Sequence, residues 1–179
     1  MDELTTGERS YAEQSLKTLA DLNNFLSTHA CCIETSSPRD LYQHLAKVKL
    51  ILGNLNLSVS FAGALMAKHY LMGKLPMSCF DIARKPQGAP GLDIDARTID
   101  GARVVAELKT TDPYLINDLG AAQKTEFRKD FEKLRNVQAE HKFFFVTEAR
   151  TFQTMKKKYA REIPGITVVL LTTGDEHVE

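Results

Sequence analysis

Residues 90–111 read PGLDIDARTIDGARVVAELKTT, and their pattern decides the fold. Apolar and polar side chains alternate on both sides of Asp100-Gly101, a strong turn signal, so the stretch predicts a β-hairpin with strands at Leu92–Thr98 and Ala102–Thr110. Successive strand side chains point to opposite faces. Leu92, Ile94 and Ala96 therefore share one face, and Asp93 and Asp95 the other. On the second strand Val104, Ala106 and Leu108 oppose Val105, Glu107 and Lys109. Two or three carboxylates and one ammonium converge where a half-buried strand would normally carry apolar groups.

The turn decides which aspartate faces Glu107. A two-residue loop at Asp100-Gly101 would pair Ile99 with Ala102 and set Asp93 opposite Leu108, splitting the cluster. A three-residue loop, Ile99-Asp100-Gly101, with Gly101 in the left-handed region as a G1 bulge, pairs Thr98 with Ala102 instead. Asp93 then lies opposite Glu107 and Asp95 opposite Val105. Opposed Cβ atoms are about 4.5–5.5 Å apart and diagonal ones about 7–8 Å, so the three-residue loop is expected, with Asp93 the partner of Glu107.

Working outward, a further strand is expected at Ser78–Arg84, before the Pro/Gly-rich segment Lys85–Gly91. After the hairpin, a polar loop with Asp112-Pro113 leads to a helix near Ala121–Val137, whose Phe127, Phe131 and Leu134 are spaced for one buried face. Lys142–Thr147 (KFFFVT) and Ile166–Thr172 (ITVVLLT) are continuous apolar strands of the kind covered on both sides. The helix between them, with Phe152, Met155 and Tyr159 inward, implies that they run parallel through a right-handed crossover.

Upstream, Ala12, Leu16, Leu19, Leu22 and Leu26 form a helical stripe expected to face a core. A second helix opens at Ser37-Pro38 with Asp40 completing a capping-box pattern, and is expected to bury Leu41, Leu45, Val48 and Leu52 before Gly53. A third, from about Ser60 to Lys74 with a stop at Gly73, is expected to pack deeply. Residues 1–59 thus read as a helical extension on a core at 60–179, together one compact domain.

Composition bounds the function. The chain has 179 residues, 43% hydrophobic and 26% charged, values of an ordinary folded protein. Lys plus Arg number 23 and so do Asp plus Glu, so no global field draws a polyanion and any basic surface must be local. Cys31, Cys32 and Cys79 are odd in number and read as free thiols of a reducing cytoplasm. No signal peptide opens the chain, and no apolar run is expected to cross a bilayer. His29, His44, His69, His141 and His177 show no zinc spacing. Without a Gly-rich phosphate loop or a nucleophile elbow, a nucleotide-driven motor and a serine hydrolase are disfavoured, and no nucleotide cofactor is expected.

Carboxylate oxygens suit hard divalent cations such as Mg²⁺. Such a cation serves phosphodiester hydrolysis, which needs a hydroxide-like nucleophile and neutralisation of developing charge. Asp93 and Glu107 match that demand, and Lys109 on the same face could hold the attacking water or contact phosphate.

Pro90-Gly91-Leu92-Asp93 followed by Glu107-Leu108-Lys109 resembles the PD-(D/E)xK nuclease superfamily, and the element order over about Ser60–Thr172 resembles that family's core: helix, three antiparallel strands, helix, parallel strand. Two residues separate Pro90 from Asp93, a departure many members share. The resemblance implies an α/β restriction-endonuclease-like fold with an N-terminal helical extension. It further implies Asp93, Glu107 and the Leu108 main-chain carbonyl as Mg²⁺ ligands, with Mn²⁺ as substitute, and Lys109 as the catalytic lysine. DNA is the implied substrate. A restriction-type endonuclease is the first choice, and a junction-resolvase or repair-type nuclease or a non-catalytic nucleic-acid-binding module the alternatives. Cutting both strands with one site per chain suggests a homodimer through the N-terminal helices, or a partner subunit. Asp95 and Gln123 are candidates for groups just outside the ligand set, and Lys124, Arg128, Lys156, Lys157 and Lys158 for phosphate contacts.

Overall fold

The computed structural model describes residues 4–29, 37–85, 89–116 and 118–179. Cys31 and Cys32, and the middle of the Lys85–Gly91 loop, lie outside the described residues. The chain separates into two compact units, Met1–Ser58 and Val59–Glu179, each described by itself.

In the first unit, α1 (Thr6–Thr28) is capped by Thr5, whose hydroxyl accepts from the Glu8 N–H while the Glu8 carboxylate accepts from the Thr5 N–H. α2 (Pro38–Leu52) opens with the expected Ser37/Asp40 capping box and Pro38 in its first turn. Rings of Phe25 and His44 approach to 4.8 Å between the two helices. The expected burial of their stripes is not seen: Leu16, Leu19, Leu26, Leu41 and Leu45 are 49–61% exposed, and α2 buries no residue fully. Periodicity marks an apolar face, but two helices alone offer too little surface to cover both stripes.

The third helix, α3 (Leu55–Lys74), begins earlier than expected and runs through Gly73, burying Phe61, Ala64, Ala67 and Leu71. The expectation that no apolar run could span a bilayer also needs amending. Pro38–Lys74 is long and apolar enough by length and composition, with mean hydropathy 1.6 in its most apolar window, although Gly53 at φ 54° interrupts it.

The second unit is mixed α/β, with a five-stranded sheet in the order β1-β2-β3-β4-β5. β1 (Ile94–Arg97) pairs antiparallel with β2 (Arg103–Lys109), which runs parallel to β3 (His141–Val146), itself parallel to β4 (Thr167–Leu170). The parallel arrangement of the two apolar strands is as expected. The connection between them starts as α5 (Ala149–Thr154), widens into a π-type turn at Met155–Tyr159, and keeps Phe152, Met155 and Tyr159 inward. The charged edge strand β5 (Asp175–His177) pairs antiparallel with β4 and was not foreseen.

A strand at Ser78–Arg84 does not form. Only Met77 bridges Thr98, and Ile82–Arg84 coil into a 3-10 turn because the Asp81 carboxylate accepts from the Ala83 N–H at 2.9 Å. Two antiparallel strands, not three, therefore precede α4 (Ala121–Asn136).

The sheet has a core on each face. Val105, Phe144, Val146 and Val168 pack with Phe127, Phe131 and Leu134 of α4 and with Phe152 and Met155. On the other face Ile94, Val104, Ala106, Phe143 and Phe145 meet Ala67 and Leu71 of α3. Helix and sheet approach closely at Gly63, where a Cβ would stand 3.1 Å from the Leu108 side chain. That notch seats Leu108 and steadies the end of β2.

Candidate metal centre

The hairpin adopts the three-residue loop. Thr98 N–H donates to the Ala102 carbonyl at 2.9 Å, Gly101 N–H to the Thr98 carbonyl at 3.0 Å, and Gly101 sits at φ +94°, where a side chain would be strained. The register that follows pairs Ile94 with Ala106 and Asp95 with Val105, which sets Asp93, one residue ahead of β1, opposite Glu107.

Asp93 is exposed, and its Oδ2 accepts from the Leu108 N–H at 2.8 Å. In a strand the N–H and C=O of one residue point to the same side. The Leu108 carbonyl therefore also faces the Asp93 side, whereas the Lys109 carbonyl accepts from Thr147 N–H on the β3 side. Asp93 and Glu107 thus meet at the start of β1, with the Leu108 carbonyl turned to the Asp93 side.

Glu107 is only 2% exposed. Burial, with the neighbouring carboxylates of Asp93 and Asp130 and a hydrogen bond to Asp93, pushes its carboxyl up to about 8, despite a partly offsetting contact with Lys133. Asp130 and Lys133 come from α4 and were missed in the sequence. Lys133 Nζ lies 3.1 Å from Glu107 Oε1 and 2.8 Å from Asp130 Oδ1, and Lys109 Nζ lies 2.5 Å from Asp130 Oδ2. Burial works against the Lys133 ammonium, yet the two carboxylates raise its pKa. Lys109 also sits over the Phe127 ring, 5.5 Å from its centroid.

Three carboxylates here face two ammonium groups, leaving one negative charge, and the raised pKa of Glu107 means that a proton compensates it. A cation could replace that proton, and the donors, two carboxylates and a carbonyl, are oxygens that suit Mg²⁺. Among the described residues no three His, Cys, Asp or Glu side chains form a ligand group by themselves. Asp93 opens onto a hollow of 680 Å³, bordered also by Arg84, Lys85 and Asp95.

The signal for Asp130 was present in the helical stripe. It stands three residues after Phe127 and four before Leu134, an acid on the apolar face, and is 5% exposed. Lys133 carried no comparable mark.

The remaining candidates are dispersed. Asp95 is gripped by Arg103, with Nε at 3.0 Å and Nη2 at 2.6 Å, and this hydrogen bonding lowers its pKa. Gln123 braces the loop ahead of α4: its Oε1 accepts from Tyr114 N–H and Gly120 N–H, and its Nε2 donates to the Asp112 carbonyl. Lys124 and Lys158 both pair with Asp118, at 2.9 and 3.2 Å, and the Asp118 pKa is lowered chiefly by Lys124. Arg128 makes a fork with Glu162, its Nε and Nη2 each donating at 3.1 Å. Lys156 lies over Phe152, and Lys157 lines a 330 Å³ hollow with Arg150 and Gln153. Of the five expected phosphate contacts, three are thus already paired with carboxylates, two of them sharing Asp118.

Compared with family models, curated proteins and solved structures, the chain matches none. The reading of the site rests on its geometry and on the Asp93, Glu107, Lys109 pattern.

Proposed function

We propose that this chain is a Mg²⁺-dependent endonuclease that hydrolyses DNA phosphodiester bonds, with a restriction-endonuclease-like arrangement of its catalytic hairpin. The observation that carries the reading is Glu107: a carboxyl buried to 2% exposure, opposite Asp93 and beside a main-chain carbonyl, costs stability that a structural role would not require.

Asp93, Glu107 and the Leu108 carbonyl would hold the cation. When bound, it would lower the pKa of a water and neutralise charge on the reacting phosphate. Lys109, held by Asp130 at 2.5 Å, presents an ammonium that donates to a phosphate oxygen or to the attacking water. Asp130 positions Lys109, and Lys133 shares both buried carboxylates, so the α4 pair keeps the β2 side chains in place before substrate arrives. Double-strand cleavage with one such site per chain would use a homodimer, and the exposed leucines of α1 and α2 are the surface offered for it.

Incubation with supercoiled plasmid tests the reading. Cleavage is expected with Mg²⁺ or Mn²⁺ and not with Ca²⁺, and Asp93→Asn and Glu107→Gln should each reduce it by about 100-fold or more. Lys109→Ala should lower it strongly while leaving Mn²⁺ binding, followed by calorimetry, intact. Cleavage that persists in excess chelator would rule the mechanism out.

A further inference from the structure

At the end of the sheet where β2 and β3 begin, Arg97, Arg103, Arg135 and Lys142 line a hollow of 710 Å³ together with Glu140. Four cations meet here, and three of them are held by carbonyls rather than by carboxylates. Arg97 Nη1 donates to the Gly101 carbonyl at 2.9 Å, Arg135 Nη1 to the Glu162 carbonyl at 3.0 Å, and Lys142 Nζ to the Arg135 carbonyl at 3.3 Å. Carbonyl acceptors orient a cation without cancelling its charge. Among the described residues no carboxylate forms an ion pair with Arg97, Arg135 or Lys142, whereas Lys124, Lys158 and Arg128 all have one.

Two acids stand against these four cations: Asp95 is held by the Arg103 fork, and the Glu140 carboxylate, which accepts from the Arg103 main-chain N–H at 2.7 Å, keeps its charge and faces Arg97. An excess of positive charge remains, with guanidinium N–H groups to spare, since each guanidinium has five and Arg97 and Arg135 each use one in these bonds. Gathering like charges is unfavourable unless an anion joins them, and a guanidinium fork fits a phosphate through paired hydrogen bonds.

The hollow is aligned with the metal centre. Arg97 lies four residues beyond Asp93 along one strand, and Arg103 four residues before Glu107 along the next, so strand alternation puts all four on one sheet face. At about 3.3 Å per residue the separation is roughly 13 Å. We propose that this hollow binds a backbone phosphate of the DNA strand, a few nucleotides from the bond being cut, and so sets the position of the strand over the carboxylates. The inference rests on the nuclease reading for its ligand, but not for its geometry.

The test is anisotropy of a labelled duplex of about 20 base pairs in Ca²⁺, titrated over a range of KCl concentrations, beside plasmid cleavage in Mg²⁺. Arg97 and Arg135 are both exposed, so the double variant Arg97→Ala/Arg135→Ala should fold, which its thermal midpoint will check. Each phosphate contact contributes about 0.9 to the slope of log K against log salt. The double variant should therefore flatten the slope by about one to two and weaken binding about tenfold. Lys129→Ala, whose ammonium is paired with Glu126, should change neither. A native protein that binds and cuts DNA, with an unaltered slope in the folded double variant, would overturn the phosphate site and leave the nuclease reading standing. A native protein that neither binds nor cuts would overturn both.

Discussion

α2 and α4 carry the same kind of apolar stripe, yet one faces water and the other is sealed. Leu41 and Leu45 of α2 are 49% and 57% exposed, while Phe127, Phe131 and Leu134 of α4 are at 1% or less. Charge is buried in both units: α1 buries the capping Glu8 fully, and the sheet-bearing unit buries Glu107 at 2% and Asp130 at 5%, groups that ordinarily stay in water. An amphipathic period states only that one side of a helix differs from the other. Whether that side is buried depends on a partner surface, which a five-stranded sheet supplies for α4 and which α1 and α2 provide only in part for one another. The exposed leucines and the Glu107–Asp130 pair, which unlike Glu8 caps no helix, mark the places where stability alone does not account for the residues chosen.

The strongest way to break this comparison is to truncate each stripe. Phe131→Ala should cost about 3–5 kcal/mol in urea unfolding, because the ring is fully buried between α4 and the sheet. Leu19→Ala, 54% exposed, should cost about 0.5 kcal/mol or less. Equal costs would mean that the α1 stripe is covered in solution.

A second test acts on the buried charge. The carboxyl of Glu107 is raised to about 8 in the folded chain, so between its ordinary range near 4.5 and 8 the folded state binds the extra proton. Its contribution is fully present below pH 4.5 and is lost as pH rises through 8. The thermal midpoint of metal-free protein should fall by several degrees from pH 6 to pH 8.5 relative to Glu107→Gln, and Mg²⁺ should restore it. A native profile parallel to that of Glu107→Gln would show that the carboxyl is not protonated in the folded state.

The stripe can also be probed by self-association. Leu19→Ser/Leu45→Ser should convert a dimer to a monomer in light scattering with little change in unfolding, if the exposed leucines serve as the contact. A native chain that stays monomeric at high concentration, with and without DNA, would assign them another role.

The smallest effect is expected at Asp95. Its fork with Arg103 is half in water, with side chains 48% and 32% exposed, so Asp95→Asn should cost about 1 kcal/mol or less. Cleavage should fall while a measurable fraction survives, unlike Asp93→Asn. The opposite ranking would move the metal-binding role from Asp93 to Asp95.

Local rules were enough to place the hairpin, whose turn is made by neighbours; at Asp100-Gly101 they left two loops open, and the three-residue one with its Gly101 bulge was expected because it sets Asp93 opposite Glu107. They were also enough for the capped start of α2, for the parallel β3 and β4, and for the buried face of α4. They failed at Ser78–Arg84, where one Asp81 carboxylate drew the backbone into a turn, and at β5, whose charged residues carry no strand pattern. What the tertiary structure alone decided are the meetings of residues distant in sequence. It brought Asp130 and Lys133 to Glu107 and Lys109, it tied Lys124, Lys158 and Arg128 to acids, and it left Arg97, Arg135 and Lys142 held by carbonyls. A residue's type and spacing establish which face it shares with its neighbours. The charge that it meets across the fold depends on packing, and that pairing determines whether a cation is neutralised or remains available to an anion.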